Sequence, residues 1–93
     1  MAEIDVRPTD HDHGYEFDVT VREGRGETHH RVTVSWDDYD RLAGEESTPE
    51  ALVTESFRFL LEREPKESIL RSFDLTVISR YFPEYEREIR RRL

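Results

Sequence analysis

The sequence predicts an α+β fold: an N-terminal antiparallel β-hairpin, of two or three strands, followed by three to four α-helices. Three observations predict it. Tyr15, Phe17, Val19 and Val21 alternate with Glu16, Asp18, Thr20 and Arg22, the period of a half-buried strand. A turn with two glycines, Glu23-Gly24-Arg25-Gly26-Glu27, follows and reverses the chain. Beyond Ser35 the period lengthens: Leu52, Val53, Ser56, Phe57, Leu60 and Leu61 form the wide stripe of an amphipathic helix.

The elements read in order as follows. Ala2, Ile4 and Val6 alternate with charged residues, so residues 1–7 suit a short strand that ends at Arg7-Pro8. Residues 9–14, Thr-Asp-His-Asp-His-Gly, are polar and turn-forming, and predict a loop. The return strand of the hairpin spans Thr28 to Ser35, with His30, Val32 and Val34 on one face and Trp36 continuing it.

Ser35 is a suitable N-cap for a short helix, with Asp38 three residues later and Asp37, Asp38 and Asp40 in the first turn. Tyr39, Leu42 and Ala43 make its apolar side, and Gly44 ends it. Thr48-Pro49-Glu50 starts a second helix that runs to about Arg63. Phe59 lies off the stripe of that helix, which suits either a lone exposed aromatic or one packed on a further helix or a partner. Pro65 starts a short helix to about Ser72 that buries Ile69 and Leu70, and residues 73–76 break it. Val77 to Phe82 form one or two further turns, and Pro83 kinks or restarts the chain into a last helix. That helix carries Glu84, Glu86 and Glu88 early and Arg90, Arg91 and Arg92 late, an order that suits its dipole.

The chain of 93 residues has room for a single domain, residues 1–93. Its hydrophobic share is 34 % and its mean hydropathy -0.87, so the core must be small. Cysteine is absent, which excludes disulfides, thiol nucleophiles and thiolate metal sites. No apolar run approaches the ~18 residues of a membrane span, and residues 1–10 lack the pattern of a secretory signal. A cytoplasmic location is the expectation. The formal charge is -8, and Lys66 is the one lysine beside thirteen arginines. A GC-rich genome or adaptation to high salt both produce such a bias. Residues 1–62 carry 6 basic and 16 acidic side chains, whereas residues 63–93 carry 8 and 6.

Few constellations suggest chemistry. His11 and His13, with His29 or His30, are of the ligand type that zinc or nickel accepts, but the loop position and the opposed faces of His29 and His30 argue for no metal site. No phosphate loop, HExxH or GxSxG motif occurs, so no catalytic residue is assigned and no cofactor is expected. Residues 65–73 and 77 onward have the lengths of a helix-turn-helix, with Arg80, Arg87, Arg90, Arg91 and Arg92 as phosphate contacts. Pro83, the neighbouring glutamates and the overall charge oppose nucleic-acid binding.

Ten of the 93 residues are aromatic, and aromatics with arginine are the residue types enriched at protein interfaces. The interface candidates are Phe59, Arg80, Tyr81, Phe82, Tyr85 and Arg87. A homodimer or a protein partner is the expected form of action, without enzymatic activity. A nucleic-acid-associated regulator built on the C-terminal segment is the alternative.

The stretch Phe59-Leu60-Leu61-Glu62-Arg63-Glu64-Pro65-Lys66-Glu67-Ser68-Ile69-Leu70, with Phe73-Asp74-Leu75 and residues 78–85 (Ile-Ser-Arg-Tyr-Phe-Pro-Glu-Tyr), resembles the C-terminal half of small uncharacterised bacterial proteins. The resemblance covers about a third of the chain and implies a bacterial, stand-alone protein. It carries over no activity and no binding residue.

Overall fold

A computed structural model of the chain describes residues 2–9, 12, 14–44 and 47–93. Four strands and four α-helices follow one another as β1 (Glu3–Thr9), β2 (Gly14–Glu23), β3 (Gly26–Ser35), α1 (Trp36–Ala43), α2 (Pro49–Leu61), β4 (Ser72–Asp74), α3 (Ile78–Tyr81) and α4 (Tyr85–Arg92). Single 3₁₀ turns occupy Lys66–Ser68 and Leu75–Val77. The strands form one mixed sheet in the order β1-β2-β3-β4. The first two pairings are antiparallel and the last is parallel.

Alternation in the sequence sets the two faces of the sheet. Phe17, Val19 and Val21 of β2 and His30, Val32 and Val34 of β3 are buried on the inner face. The register pairs Phe17 with Val32 and Val19 with His30, so the two rows of side chains stack into one apolar surface. Ile4 and Val6 extend it from β1, opposite Val21 and Val19. Glu16, Asp18, Thr20 and Arg22 point the other way, together with Glu27, His29, Arg31 and Thr33. Arg31 lies 3.2 Å from Asp18 and 3.6 Å from Glu16 there, and Arg22 lies 2.8 Å from Glu27. Such exposed pairs contribute little stability; they keep the outer face polar.

The hairpin turn uses Gly24 at φ 63°, the first of two turn residues. Positive φ at that position alone is the type II′ pattern that matches strand twist. Both anticipated helix starts form. The Ser35 side chain accepts a hydrogen bond from the Asp38 N–H, and the Thr48 side chain accepts one from the Ala51 N–H. Gly44, at φ 74°, ends α1.

The helices pack on the inner face. Leu52, Val53, Phe57, Phe59 and Leu60 of α2 join Leu42 of α1 and Tyr85 and Ile89 of α4 in one core. Within it the Tyr85 hydroxyl donates to Ser56 Oγ at 2.6 Å, because Ser56 donates its own proton to the Leu52 carbonyl at 2.7 Å. Each polar atom therefore has its partner without water.

The α+β class stands, and β1 makes the N-terminal antiparallel part three-stranded; the sheet as a whole is mixed, because β4 joins it in parallel from between α2 and α3 rather than before the helices. Four expectations change. β1 continues through Pro8 to Thr9, because it is an edge strand and proline is accepted there. Trp36 does not extend the face of β3; it opens α1 and is 53 % exposed. The expected helix from Pro65 to Ser72 is one 3₁₀ turn followed by β4, and Leu70 is exposed rather than buried. With that helix absent, residues 65–92 do not form a helix-turn-helix.

Candidate groove beside the fourth strand

A groove of about 420 Å³ opens between the end of α2, the 68–70 segment, β4 and α3. Its walls are Leu60, Ile69, Phe73, Val77, Ile78 and Phe82, with Leu70 and Tyr81 at 48 % and 68 % exposure. Glu64 and Ser68 are the polar residues of the lining. Local sequence explains the shape. Pro65 follows Glu64 directly and halts any continuation of the preceding helix. Asp74 then turns the chain out of β4: its carboxylate accepts from the Thr76 N–H at 3.1 Å, from the Thr76 hydroxyl at 2.6 Å and from the Thr33 hydroxyl at 2.7 Å. Residues 75–81 thus fold back as one wall of the groove while residues 68–70 and Phe73 form the other.

Glu64 is the electrostatic exception of this half of the chain. Glu62 pairs with Arg92 and Arg63, Glu67 with Lys66, Glu84 with Arg63, Glu86 with Arg41 and Glu88 with Arg91. Their environments follow: the Arg92 and Arg41 guanidinium groups hold the Glu62 and Glu86 carboxyls below the usual carboxylate range. Among the described residues, the Glu64 carboxylate has neither an ion-pair nor a hydrogen-bond partner. Burial against the groove pushes its pKa up instead.

The six interface candidates separate. Tyr81 and Phe82 come together at the groove. Arg80, which precedes them, and Arg87 on α4 are exposed but do not line it. Phe59 and Tyr85 are fully buried, so neither is an interface residue. The Phe59 ring meets Tyr85 and Phe82 edge-on, at 5.3 Å and 5.9 Å between centroids, and the Arg63 guanidinium covers it at 3.6 Å. A phenylalanine off the stripe of α2 thus finds α4 and the chain before it rather than a partner. The other eight lining residues, Leu60, Glu64 and Leu70 among them, are absent from the interface candidates read from the sequence. The signal that could have found them is the unpaired Leu70 beside a proline-led turn.

A second cluster forms where the 66–74 segment meets β3. His30 is 4 % exposed and packs on Phe57, with ring centroids 5.3 Å apart. Its Nδ1–H donates to the Leu70 carbonyl at 2.7 Å, since a carbonyl only accepts. Nε2 is then the acceptor for the Thr28 hydroxyl at 2.9 Å. Burial lowers the pKa of the ring, so the neutral tautomer is the folded form. Lys66 is nearly buried beside it, 2.7 Å from Glu67. The His30–Leu70 bond ties the segment to β3 next to the groove wall that residues 68–70 form.

His11 and His13 of the possible metal set lie outside the described residues. Among the described residues, no three histidine, aspartate or glutamate side chains converge as a metal site would require, and no helix is long and apolar enough to cross a membrane. In comparisons with known proteins, no family model, no curated protein and no solved structure matches this chain.

Proposed function

We propose that this is a small cytoplasmic binding protein, without enzymatic activity, that acts by holding a segment of a partner protein in the groove beside β4. The observation that carries this reading is the groove itself: about 420 Å³, walled by apolar side chains, with Leu70 and Tyr81 exposed on it. Exposed large apolar residues gathered at one concave site mark interaction surfaces more than isolated ones do. The outer sheet face, in contrast, is covered by paired charges.

Site-specific photo-crosslinking in the host cell tests the reading. A photoreactive residue at position 70 or 81 is expected to trap a partner chain that one at position 20, on the outer face, does not trap. The mass of the adduct separates a second copy from a different protein. Identical adduct patterns from all three positions, or an adduct that disappears on nuclease treatment, would sink it.

A further inference from the structure

We propose that the groove selects a lysine or arginine side chain, presented next to an apolar residue by a partner protein, and that Glu64 is its counter-charge. The inference rests on the groove being the binding surface and adds the chemistry of what enters it.

The carboxylate is the first reason. Every other glutamate from residue 62 onward has a cationic partner at 3.4 Å or less, yet Glu64, half-buried at the groove, has none among the described residues. Partial burial without compensation disfavours the charged form, and burial is the cause that raises its pKa. A cation entering the groove removes that penalty and gains a charge-assisted hydrogen bond.

The walls are the second. Phe73, Tyr81 and Phe82 supply aromatic surface to the lining, and Leu60, Ile69 and Val77 supply aliphatic surface for the stem of a long basic side chain. The protein already contains this combination within its own fold. Arg63 sits 3.6 Å above the Phe59 ring and 6.0 Å from that of Phe82 while pairing with Glu84 at 3.3 Å.

The charge of the whole chain is the third. At -8 it attracts basic segments at long range and repels a second copy of itself. Neither Arg71 nor Arg80 lines the groove, so among the described residues no cation fills the place.

Panning a random peptide library against the intact chain, with Glu64→Gln and Tyr81→Ala as comparison baits, tests this. The expected peptides carry Lys or Arg beside an aliphatic or aromatic residue. They should bind Glu64→Gln about tenfold or more weakly, and replacing their basic residue by Gln should cost the wild-type complex a similar factor but the Glu64→Gln complex little. Peptides that need Tyr81 but bind Glu64→Gln equally well overturn the charge pairing and leave the groove reading standing. Peptides indifferent to Tyr81→Ala, or no enrichment at all, overturn both.

Discussion

The hydroxyls of Tyr85 and Ser56 meet at 2.6 Å in the core, joining α4 to α2 through one directional bond. Burial pushes the pKa of the Tyr85 phenol up, so it remains a donor at any ordinary pH. Removing one partner strands the other. Ser56→Ala is expected to cost about 1–3 kcal/mol, because it leaves a buried phenolic O–H unbonded. Tyr85→Phe leaves Ser56 bonded to Leu52 and should cost less. In the double variant the two losses should add to less than their sum, which urea denaturation of all four proteins will show.

His30 makes stability depend on pH in a defined window. Its folded pKa lies below the usual ~6.5, chiefly through burial. The unfolded chain therefore binds a proton that the folded chain refuses. Its contribution is fully present above about pH 6.5 and is lost as pH falls from there toward the folded value. Glu62 and Glu86 are held below the usual carboxylate range, so their contribution fades only below about pH 4.5. Denaturation midpoints between pH 7.5 and 5 should fall for the wild type and fall less for His30→Gln.

Gly14 is required for a reason unrelated to backbone conformation. A Cβ there would lie 2.5 Å from the Val34 carbonyl oxygen and 2.8 Å from the Ser35 Cα, both main-chain atoms of the neighbouring strand. Gly14→Ala is expected to cost about 1–3 kcal/mol by overpacking. Gly26→Ala meets the ends of two side chains, Lys66 closely and Glu67 at ordinary contact distance, and no main-chain atom, so it should cost less. Thermal melts of the two variants compare them directly.

The division of the aromatic candidates is testable in the same way. Phe59→Ala should cost about 3–5 kcal/mol as a core truncation. Tyr81→Ala, at a side chain 68 % exposed, should change stability by about 0.5 kcal/mol or less while abolishing crosslinks at the groove. A large loss of stability in Tyr81→Ala would assign that residue to the fold instead.

What was legible in the sequence follows from the range of the forces involved. The strand around Phe17 and Val19 and the caps at Ser35 and Thr48 depend on neighbours within a few residues, and the pattern of those neighbours is sufficient. β4 depends on Arg31, Val32 and Thr33, some 41 positions away, and three residues are too few to display a period. Lacking that partner, Ser72 reads as the end of a helix and Phe73-Asp74 as the start of the break after it. Phe59 and Tyr85 show the same limit from the other side. An aromatic residue on a helix looks alike whether it faces a partner or another helix, and only tertiary packing decides. Tyr81 and Phe82 are named from composition, as aromatics among arginines, and their place at the groove is set by the same tertiary packing.

The parallel junction of β3 with β4 has a consequence for motion. Three residues of ladder and the His30–Leu70 bond close a chain excursion of about 40 residues, whereas the hairpin closes across two. Unequal fastening of this kind divides a domain into units that open independently. The 65–82 segment is therefore expected to open while the hairpin stays intact, and hydrogen exchange should find its amides exchanging before those of β2 and β3. A ligand that spans Glu64, Phe73 and Tyr81 clamps both ends of that segment. Its binding energy and the lifetime of β4 then become one linked quantity, and the slowing of exchange at Phe73 measures occupancy of the groove without any reporter on the partner.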